Sequence, residues 1–252
     1  MAKVYVFVNQ KGGVGKTTSA INIGAYLADA GQKVLLVDFD SQANLTSGLG
    51  IKDIQKGVYE AISGVIRPEE AVHTTTVPGL SVLPASINLS GAAVELIGEE
   101  DRDFFLKTTL EPLRNRFDYI LIDCPPSLGV LTVNGLCAAD YVIIPMQCEY
   151  FAMEGLALLL KTVKRIQSKL NTALTISGIF FTMYDQRTKL AQQVVKQVGA
   201  YFKDKVFRTV IPRNVRLAEA PSHGLPISRY DPSSSGALAY KSLTGEVLKR
   251  GG

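Results

Sequence analysis

The chain has 252 residues, of which 46% are hydrophobic and 20% are charged, a composition typical of a globular domain. No apolar run reaches the roughly 18 residues that a membrane-spanning helix needs, and residues 1–10 have the pattern of a strand instead of a signal peptide. The three cysteines form no Cys-x-x-Cys pair, which argues against a disulfide framework and a zinc site. We therefore expect a single cytoplasmic domain spanning residues 1–252.

The formal net charge of +4 is unevenly distributed along the chain. Residues 1–125 carry 11 Lys/Arg against 15 Asp/Glu, whereas residues 126–252 carry 16 Lys/Arg against 8 Asp/Glu. All 16 of these basic residues follow Gly155. Such asymmetry is typical of a polyanion-binding surface, but solvated basic helix faces explain it equally well.

Short apolar runs rich in Val and Ile alternate with helical patterns along the chain. The predicted strands are residues 4–9, 34–38, 80–83, 119–123, 141–144, 174–181 and 206–211. The predicted helices are residues 17–30, 101–115, 153–169, 190–202 and 237–249. This alternation predicts an α/β fold of the P-loop NTPase type, in which a doubly wound, mostly parallel sheet carries helices on both faces. Ligands of such sheets bind beyond the carboxyl ends of the strands.

The most specific motif, KGGVGKTT, lies between the first predicted strand and the first predicted helix. It comprises Lys11, Gly12, Gly13, Val14, Gly15, Lys16, Thr17 and Thr18. Glycines allow the backbone N–H groups to point at phosphate oxygens, and the start of the helix adds positive potential. In such a loop Lys16 reaches the terminal phosphates and the Thr17 hydroxyl binds Mg²⁺. The motif therefore predicts a site for a nucleotide with Mg²⁺.

Acidic residues end two of the predicted strands. Asp123 closes the run 119–123, which is the Walker B arrangement for binding Mg²⁺ directly or through water, although such a residue can also cap the following turn. Asp38 and Asp40 end the second predicted strand, and strand alternation points both side chains to the same side. Asp38 can equally be a purely structural carboxylate.

The glycine loop departs from the pattern G-x-x-x-x-G-K-[ST], because Gln10 occupies the first glycine position and Lys11 follows it. This form resembles the deviant Walker A loop of the ParA/MinD/nitrogenase-iron-protein superfamily. The resemblance implies that Lys11 crosses a dimer interface and touches the partner's nucleotide. Without another catalytic cation, a monomer should hydrolyse ATP slowly, because phosphoryl transfer depends on neutralising charge.

Residues 38–42 resemble the switch I segment of the same family, except that Ser41 stands where proline is usual. The resemblance implies that Asp40 positions or activates the attacking water, and that Asp38 supports the metal shell. The residues assigned to catalysis are therefore Lys11, Lys16 and Asp40. The residues assigned to the metal are Thr17, Asp40 and Asp123.

Further segments extend the resemblance over essentially the whole chain and favour the small, Soj-like ParA proteins without an N-terminal helix-turn-helix extension. Residues 149–156 are similar to a ParA/Soj dimer-interface segment, and residues 211–216 and 219–224 to a C-terminal block. The resemblance implies that Pro212 and Asn214 contact adenine, and that Arg187 and Arg216 bind DNA. Each of these arginines is also explained by an ordinary surface ion pair.

For the whole protein, the resemblance implies an ATP-dependent homodimer that binds non-specific DNA on the nucleoid and has no stable membrane anchor. It also implies activation by a ParB-type centromere-binding protein in chromosome or plasmid segregation. The main alternative is a MinD-like membrane-positioning ATPase, which would end in a basic amphipathic helix. A nitrogenase-type iron protein would need differently placed cysteines. A biosynthetic ligase of the dethiobiotin-synthetase kind would need a substrate pocket for which the sequence has no signature.

Overall fold

A seven-stranded sheet forms the centre of the computed structural model, which describes residues 1–95 and 98–250. The strands are β1 (Lys3–Phe7), β2 (Val34–Asp38), β3 (His73–Thr74), β4 (Leu80–Leu83), β5 (Tyr119–Asp123), β6 (Tyr141–Gln147) and β7 (Thr175–Thr182). Their order is β3-β4-β2-β5-β1-β6-β7, and every pair is parallel except β3 with β4. The predicted parallel sheet is confirmed.

Helices cover both faces of this sheet. The α-helices of the described residues are α1 (Lys16–Asp29), α2 (Asn44–Gly48), α3 (Val58–Ile62), α4 (Leu89–Glu95), α5 (Phe105–Leu110), α6 (Val130–Ala138), α7 (Ala152–Lys169), α8 (Lys189–Phe202), α9 (Val215–Glu219), α10 (Ile227–Tyr230) and α11 (Ser235–Arg250). None of the helices described is long and apolar enough to cross a membrane.

Alternate residues of the central strands face two separate hydrophobic layers. In β1, Val4 and Val6 pack in one layer with residues of α6, α7 and α8, whereas Tyr5 and Phe7 pack in the other with residues of α1 and α11. All four side chains are fully buried. Burial on both faces explains why β1, β2 and β5 are continuously apolar in sequence. The two layers fix the sheet rigidly, so that its carboxyl edge holds the loops described below.

Two predicted elements are wrong. Residues 206–211 form only isolated bridges beside β7, because the N–H groups of Arg208 and Thr209 bond the Glu246 carboxylate of α11 instead of a neighbouring strand. The predicted helix 101–115 is limited to α5 and a short 3₁₀ turn, Glu111–Leu113. Pro112 ends the α-helix, since its ring removes an N–H group and clashes with the preceding turn.

The structure also contains helices that periodicity did not predict. Helix α6 is apolar nearly all round, with seven of its nine residues buried, so it carries no amphipathic pattern. Helices α2, α3, α9 and α10 are only four or five residues long, too short for a 3.6-residue period to emerge. Of these, α2 follows β2 directly and belongs to the site.

Glu246 provides a test of how α11 is attached to the rest of the fold. Its carboxylate accepts hydrogen bonds from the Arg208 and Thr209 N–H groups and from the Thr209 hydroxyl, at 2.9, 2.8 and 2.6 Å. We expect Glu246→Ala to lower the free energy of unfolding by about 1–3 kcal/mol, because two backbone N–H groups and one hydroxyl lose a charged acceptor. Urea denaturation measures this change, and the exposed substitution Lys241→Ala should leave it within about 0.5 kcal/mol.

The same contact should depend on pH. Burial opposes ionisation of Glu246, but the hydrogen bonds from Thr209 and Arg208 outweigh it, so the pKa of this carboxyl lies below its usual value. A carboxyl group whose pKa is lower in the folded state stabilises the fold at pH values above its unfolded-state pKa. This stabilisation is lost as the pH falls through the folded-state pKa. The stability gap between parent and Glu246→Ala should therefore shrink as pH falls below about 4. An unchanged gap from neutral to acidic pH would contradict the assignment.

Candidate functional site

The glycine loop connects β1 to α1 at the carboxyl edge of the sheet. Gly13 and Gly15 have φ angles of 72° and 83°, in the left-handed region that side chains with a Cβ atom rarely adopt. Gly15 precedes the first residue of α1, and no side chain caps this end of the helix. The first N–H groups of α1 have no intrahelical acceptors, so this end of the helix is suited to an anion.

Lys16 is the charged residue at the base of this loop. It is buried, and its ammonium donates to the Lys11 carbonyl at 3.4 Å. Burial lowers the pKa of Lys16, whereas the nearby carboxyl groups of Asp123 and Asp40 raise it. A cation held in this way lies among negative groups and beside the anion-accepting end of α1.

Asp123 and Asp38 are neighbours because of the register of β5 and β2, in which their Cα atoms are paired. Asp123 is buried, and neither of its carboxylate oxygens has a hydrogen bond of ordinary geometry among the described residues. Burial raises the pKa of Asp123 to about 8, and the charge of Asp38 adds to this, while Thr17 and Lys16 oppose it. A buried carboxylate without a hydrogen-bond partner is the group that a hard cation would satisfy.

The residues present fit Mg²⁺ better than a metal caged by protein alone. Within residues 1–95 and 98–250, no three His, Cys, Asp or Glu side chains are grouped as a metal cage. Mg²⁺ commonly takes one or two carboxylates and obtains its other ligands from phosphates and water. Thr17 and Asp40 line the same cavity as Lys16, and the buried Asp123 interacts with Lys16 and Thr17. These are the three predicted metal residues.

Asp38 has a structural role in the segment after β2. Its Oδ2 atom accepts hydrogen bonds from the N–H and hydroxyl groups of Thr46, at 2.8 and 2.6 Å. The Thr46 hydroxyl in turn accepts from the Ala85 N–H at 3.1 Å, which ties the loops after β2 and β4 together. Burial raises the pKa of Asp38 to about 6, although the bonds from Thr46 lower it. Asp38 thereby anchors α2 beneath the glycine loop.

A cavity of about 620 Å³ lies above the glycine loop. Its lining contains most of the predicted phosphate residues, namely Gly12, Gly13, Gly15, Lys16, Thr17 and Thr18, together with Asp40. A second cavity, of about 380 Å³, is lined by Pro212 and Asn214 and shares Gly15, Thr18 and Met183 with the first. Two adjoining cavities, of which the second is the more apolar, match the phosphate and base of a nucleotide.

Lys11 does not line either of these cavities. Its ammonium forms an ion pair with Glu149, and its side chain is 49% exposed. The two residues share a smaller cavity with Asn9 and Gly155. The two lysines of the loop therefore lie in different environments, Lys16 inside the site and Lys11 at its surface.

Several lining residues were not predicted from the sequence. They are Ile21, Gln42, Asn44, Ser47, Gly48, Pro126, Met183, Pro221 and Ser222 in the first cavity, and Leu217 and Tyr240 among others in the second. Met183 directly follows β7 and has a φ angle of 50°. Because ligands of such sheets bind beyond the carboxyl ends of the strands, its place in the site could have been predicted from the end of β7. Tyr240 lies in the middle of α11, and no sequence signal points to it.

The two arginines predicted to bind DNA lie in surface ion pairs. Arg187 makes a two-pronged contact with Asp185, and its side chain is 85% exposed. Arg216 contacts Glu219 at 2.9 Å and Asp231 at 3.6 Å. Exposed pairs of this kind contribute at most about 1 kcal/mol, so a phosphate can replace the carboxylate partner. The geometry of Arg187 and Arg216 is therefore compatible both with DNA binding and with an ordinary surface ion pair.

The class of protein follows from where the glycine loop lies: it joins an inner strand of a mostly parallel sheet to a helix, and the neighbouring strand ends in an aspartate. That arrangement defines a P-loop ATPase. A sequence profile described as an AAA domain matches residues 2–176. The chain is 63% identical over 254 residues to the chromosome-partitioning ATPase Soj of Treponema pallidum, which covers 100% of this chain and 99% of that protein.

A second relative agrees over the same length. The sporulation initiation inhibitor protein Soj of Bacillus subtilis is 53% identical over 253 residues, with all of both chains covered. This protein therefore belongs to the Soj/ParA family of chromosome-partitioning ATPases, as the resemblance implied.

Solved structures of relatives contain nucleotides. Cobyrinic acid a,c-diamide synthase from Mycobacterium smegmatis, with a bound ATP analogue and magnesium, has a TM-score of 0.89 and 38% identity, covering 99% of this chain and 95% of that one. The septum site-determining protein MinD from Pyrococcus horikoshii, complexed with Mg-ADP, has a TM-score of 0.80 and 27% identity, covering 100% and 98%. The fold is thus that of nucleotide-binding relatives.

Thr46 tests whether Asp38 anchors α2. We expect Thr46→Val to lower the free energy of unfolding by about 1–3 kcal/mol, since the buried Asp38 carboxylate and the Ala85 N–H each lose a hydrogen-bond partner. Thr46→Ser keeps the hydroxyl and should lose less than half as much. Chemical denaturation measures both, and equal losses for Val and Ser would mean that packing of the methyl group, not the hydrogen bonds, matters.

Proposed function

We propose that this protein is an ATP-dependent switch in chromosome or plasmid segregation that dimerises with ATP and binds DNA non-specifically. The observation that carries the proposal is the position of Lys11, which belongs to the loop but lies outside its own phosphate cavity. A surface cation beside the cavity is placed to serve a second subunit facing it. The bound nucleotides of the relatives support ATP with Mg²⁺ as the ligand.

Within one subunit, the residues supply binding and orientation. The glycine-loop N–H groups and Lys16 hold the phosphates, and Pro212 and Asn214 face the base. Thr17, Asp40 and Asp123 hold Mg²⁺, which neutralises the phosphate charge when it is bound. The Asp40 Oδ1 atom accepts a hydrogen bond from the Gln42 N–H at 3.1 Å, which restrains this carboxylate at the wall of the cavity, where it would position a water for attack on the terminal phosphate.

Dimerisation would supply the second cation that phosphoryl transfer needs. In the monomer Lys11 is neutralised by Glu149, and among the residues lining the phosphate cavity Lys16 is the one cation. Phosphoryl transfer that lacks a second cation can be slower by about 10³–10⁵. A Lys11 side chain from the partner would supply it. Slow hydrolysis also explains the need for a ParB-type activator, which the family membership supports.

The C-terminal helix favours this proposal over a MinD-like membrane-positioning role. In α11, Ala237, Tyr240, Leu243 and Val247 are buried against the sheet layer that contains α1. An interfacial membrane helix would instead leave its apolar face available to lipid. The described C-terminal helix therefore serves the fold, and we place the protein on the nucleoid and not on a membrane.

The first test concerns the ATP-dependent dimer. We expect Asp40→Ala, which binds ATP without hydrolysing it, to be dimeric in ATP and Mg²⁺ and monomeric in ADP, as measured by light scattering. Adding Lys11→Ala should return it to the monomer, because the cation that crosses the interface is lost. Lys16→Ala should lose productive nucleotide binding as well. A monomeric Asp40→Ala protein at saturating ATP would exclude the switch mechanism.

The second test concerns DNA. Releasing counterions makes log affinity fall linearly with log salt, by about 0.9 per phosphate contacted. Arg187→Ala and Arg216→Ala should each reduce this slope by roughly 1 to 2 in the dimer, equally for unrelated sequences. Lys52→Ala, on the acidic half of the chain, is the matched control and should leave the slope unchanged. If both arginine variants keep the parent's slope, these residues are ordinary ion pairs and DNA binding lies elsewhere.

The third test concerns the activator. A ParB-type protein's basic N-terminal peptide should raise ATP turnover several-fold when DNA is present, and it should not do so for Lys11→Ala, which cannot dimerise. Phosphate release measures turnover. A folded cognate ParB-type protein that leaves the parent's turnover unchanged would count against a segregation role while leaving the ATPase assignment intact.

A further inference from the structure

Three successive carbonyl groups of the glycine loop each accept a hydrogen bond from a side chain. The Gln147 amide donates to the Gly13 carbonyl at 2.9 Å, and the Thr182 hydroxyl donates to the Val14 carbonyl at 2.8 Å. The Ser19 hydroxyl donates to the Gly15 carbonyl at 2.6 Å. The donors come from the end of β6, the end of β7 and the second turn of α1, so three separate elements hold the loop.

The third of these donors is itself held by the C-terminal helix. The Ser19 and Tyr240 hydroxyl oxygens lie 2.9 Å apart, and both side chains are fully buried. A serine hydroxyl has one proton, which Ser19 gives to the Gly15 carbonyl, so Tyr240 must be the donor to Ser19. Burial raises the pKa of Tyr240, which keeps its hydroxyl protonated. Helix α11 thus reaches the glycine loop through one relayed hydrogen bond.

Fixing a carbonyl group also fixes the N–H group that follows it. The peptide unit is planar and trans, so its C=O and N–H groups point in opposite directions. The carbonyls of Gly13, Val14 and Gly15 belong to the same peptide planes as the N–H groups of Val14, Gly15 and Lys16. Gly13 and Gly15 have positive φ angles, and glycine adopts positive and negative φ angles about equally readily, so these residues do not hold the loop in one conformation by themselves. The Gly15 carbonyl also accepts a backbone hydrogen bond from the Ser19 N–H at 2.9 Å, so its plane is held by α1 as well. The planes that contain the Gly13 and Val14 carbonyls would rotate more freely without the bonds from Gln147 and Thr182.

We propose that Gln147, Thr182 and the Ser19–Tyr240 pair are positioning residues that orient the loop N–H groups for phosphate before the nucleotide binds. This inference rests on the proposed ATP binding. The three contacts are called the carbonyl tether below. Thr182 suits this role because it is buried and its hydroxyl lies closer to the Val14 carbonyl, at 2.8 Å, than to the Met146 carbonyl, at 3.3 Å. Its methyl carbon also packs near Gly15, since a Cβ atom built on Gly15 would lie 3.6 Å from it.

The expected effect follows from the fraction of protein whose loop is ready to bind. The apparent dissociation constant equals the intrinsic one divided by that fraction. Losing one hydrogen bond of ordinary strength should lower the fraction enough to weaken ATP binding by about three- to tenfold. It should also increase the hydrogen exchange of the loop amides in the nucleotide-free protein, because untethered peptide planes open more often.

The main experiment compares Thr182→Val, which removes the hydroxyl at nearly constant volume, with Thr182→Ser, which keeps it. The control is Thr75→Val, because the half-buried Thr75 hydroxyl also donates to a carbonyl, that of Leu80 at 2.9 Å, but lies beside β4 and contacts neither the loop nor a residue of the tether. A fluorescent ATP analogue with Mg²⁺ reports affinity, mass spectrometry reports exchange of residues 13–16 without nucleotide, and thermal denaturation reports stability.

We expect Thr182→Val to weaken binding three- to tenfold and to speed exchange at residues 13–16, with Thr182→Ser and Thr75→Val close to the parent in both. The proposal is overturned if Thr182→Val matches the parent in both readouts, or if Thr75→Val produces the same changes through lost stability. A parent protein that does not bind the analogue would instead refute the proposed function, and the exchange data on nucleotide-free protein would still decide the tether.

The relay through Tyr240 has its own test in a double-mutant cycle. Tyr240→Phe removes only the hydroxyl and should weaken binding by about two- to fivefold, less than Ser19→Ala, because it acts through Ser19. The combined variant should bind ATP no more weakly than Ser19→Ala alone, because both substitutions interrupt the same chain of hydrogen bonds. Independent effects that multiply in the combined variant would contradict the relay.

Discussion

The register of β5 against β2 is the constraint on which the site depends, because it places the buried carboxyl groups of Asp123 and Asp38 side by side. Adjacent buried carboxyl groups are costly unless hydrogen bonds or counter-charges compensate them. Asp38 is compensated by Thr46, which fixes α2, and Lys16 partly compensates Asp123. The loop after β1, the segment after β2 and the end of β5 are therefore held together by one charge arrangement.

The two lysines of the glycine loop lie in different environments, and the proposed function assigns Lys16 to its own subunit's nucleotide and Lys11 to that of a second subunit. Lys16 is buried at the base of the phosphate cavity, whereas Lys11 is exposed and paired with Glu149. Only four residues of chain thus separate a buried cation inside the cavity from an exposed cation outside it. A site that is complete for binding but incomplete for charge neutralisation is suited to a switch, since binding and hydrolysis then require different assembly states.

Motifs determined most of what the sequence could predict. The glycine loop, Asp123 and Asp40 have chemistry that depends on local spacing and strand ends, and the structure places them together. Residues 206–211 had a strand pattern, but the N–H groups of Arg208 and Thr209 bond the carboxylate of Glu246, far along the chain, and interrupt the pairing with β7. Helix α6 is buried so completely that it has no periodic signal, and Tyr240 reaches the loop only because α11 packs on α1. Such long-range contacts leave no local mark in a single sequence.

In the proposed function, Mg²⁺ with nucleotide satisfies the buried Asp123 carboxylate, whose oxygens have no hydrogen bond of ordinary geometry among the described residues. Calorimetric titration of ATP with Mg²⁺ and with EDTA, for the parent and Asp123→Asn, tests this most directly. The parent should bind ATP at least about tenfold tighter with Mg²⁺, as expected for a charge-assisted contact. Asp123→Asn should lose most of that gain while keeping the parent's affinity in EDTA, and the exposed substitution Asp101→Asn should behave as the parent. An equal Mg²⁺ gain in parent and Asp123→Asn would contradict the account.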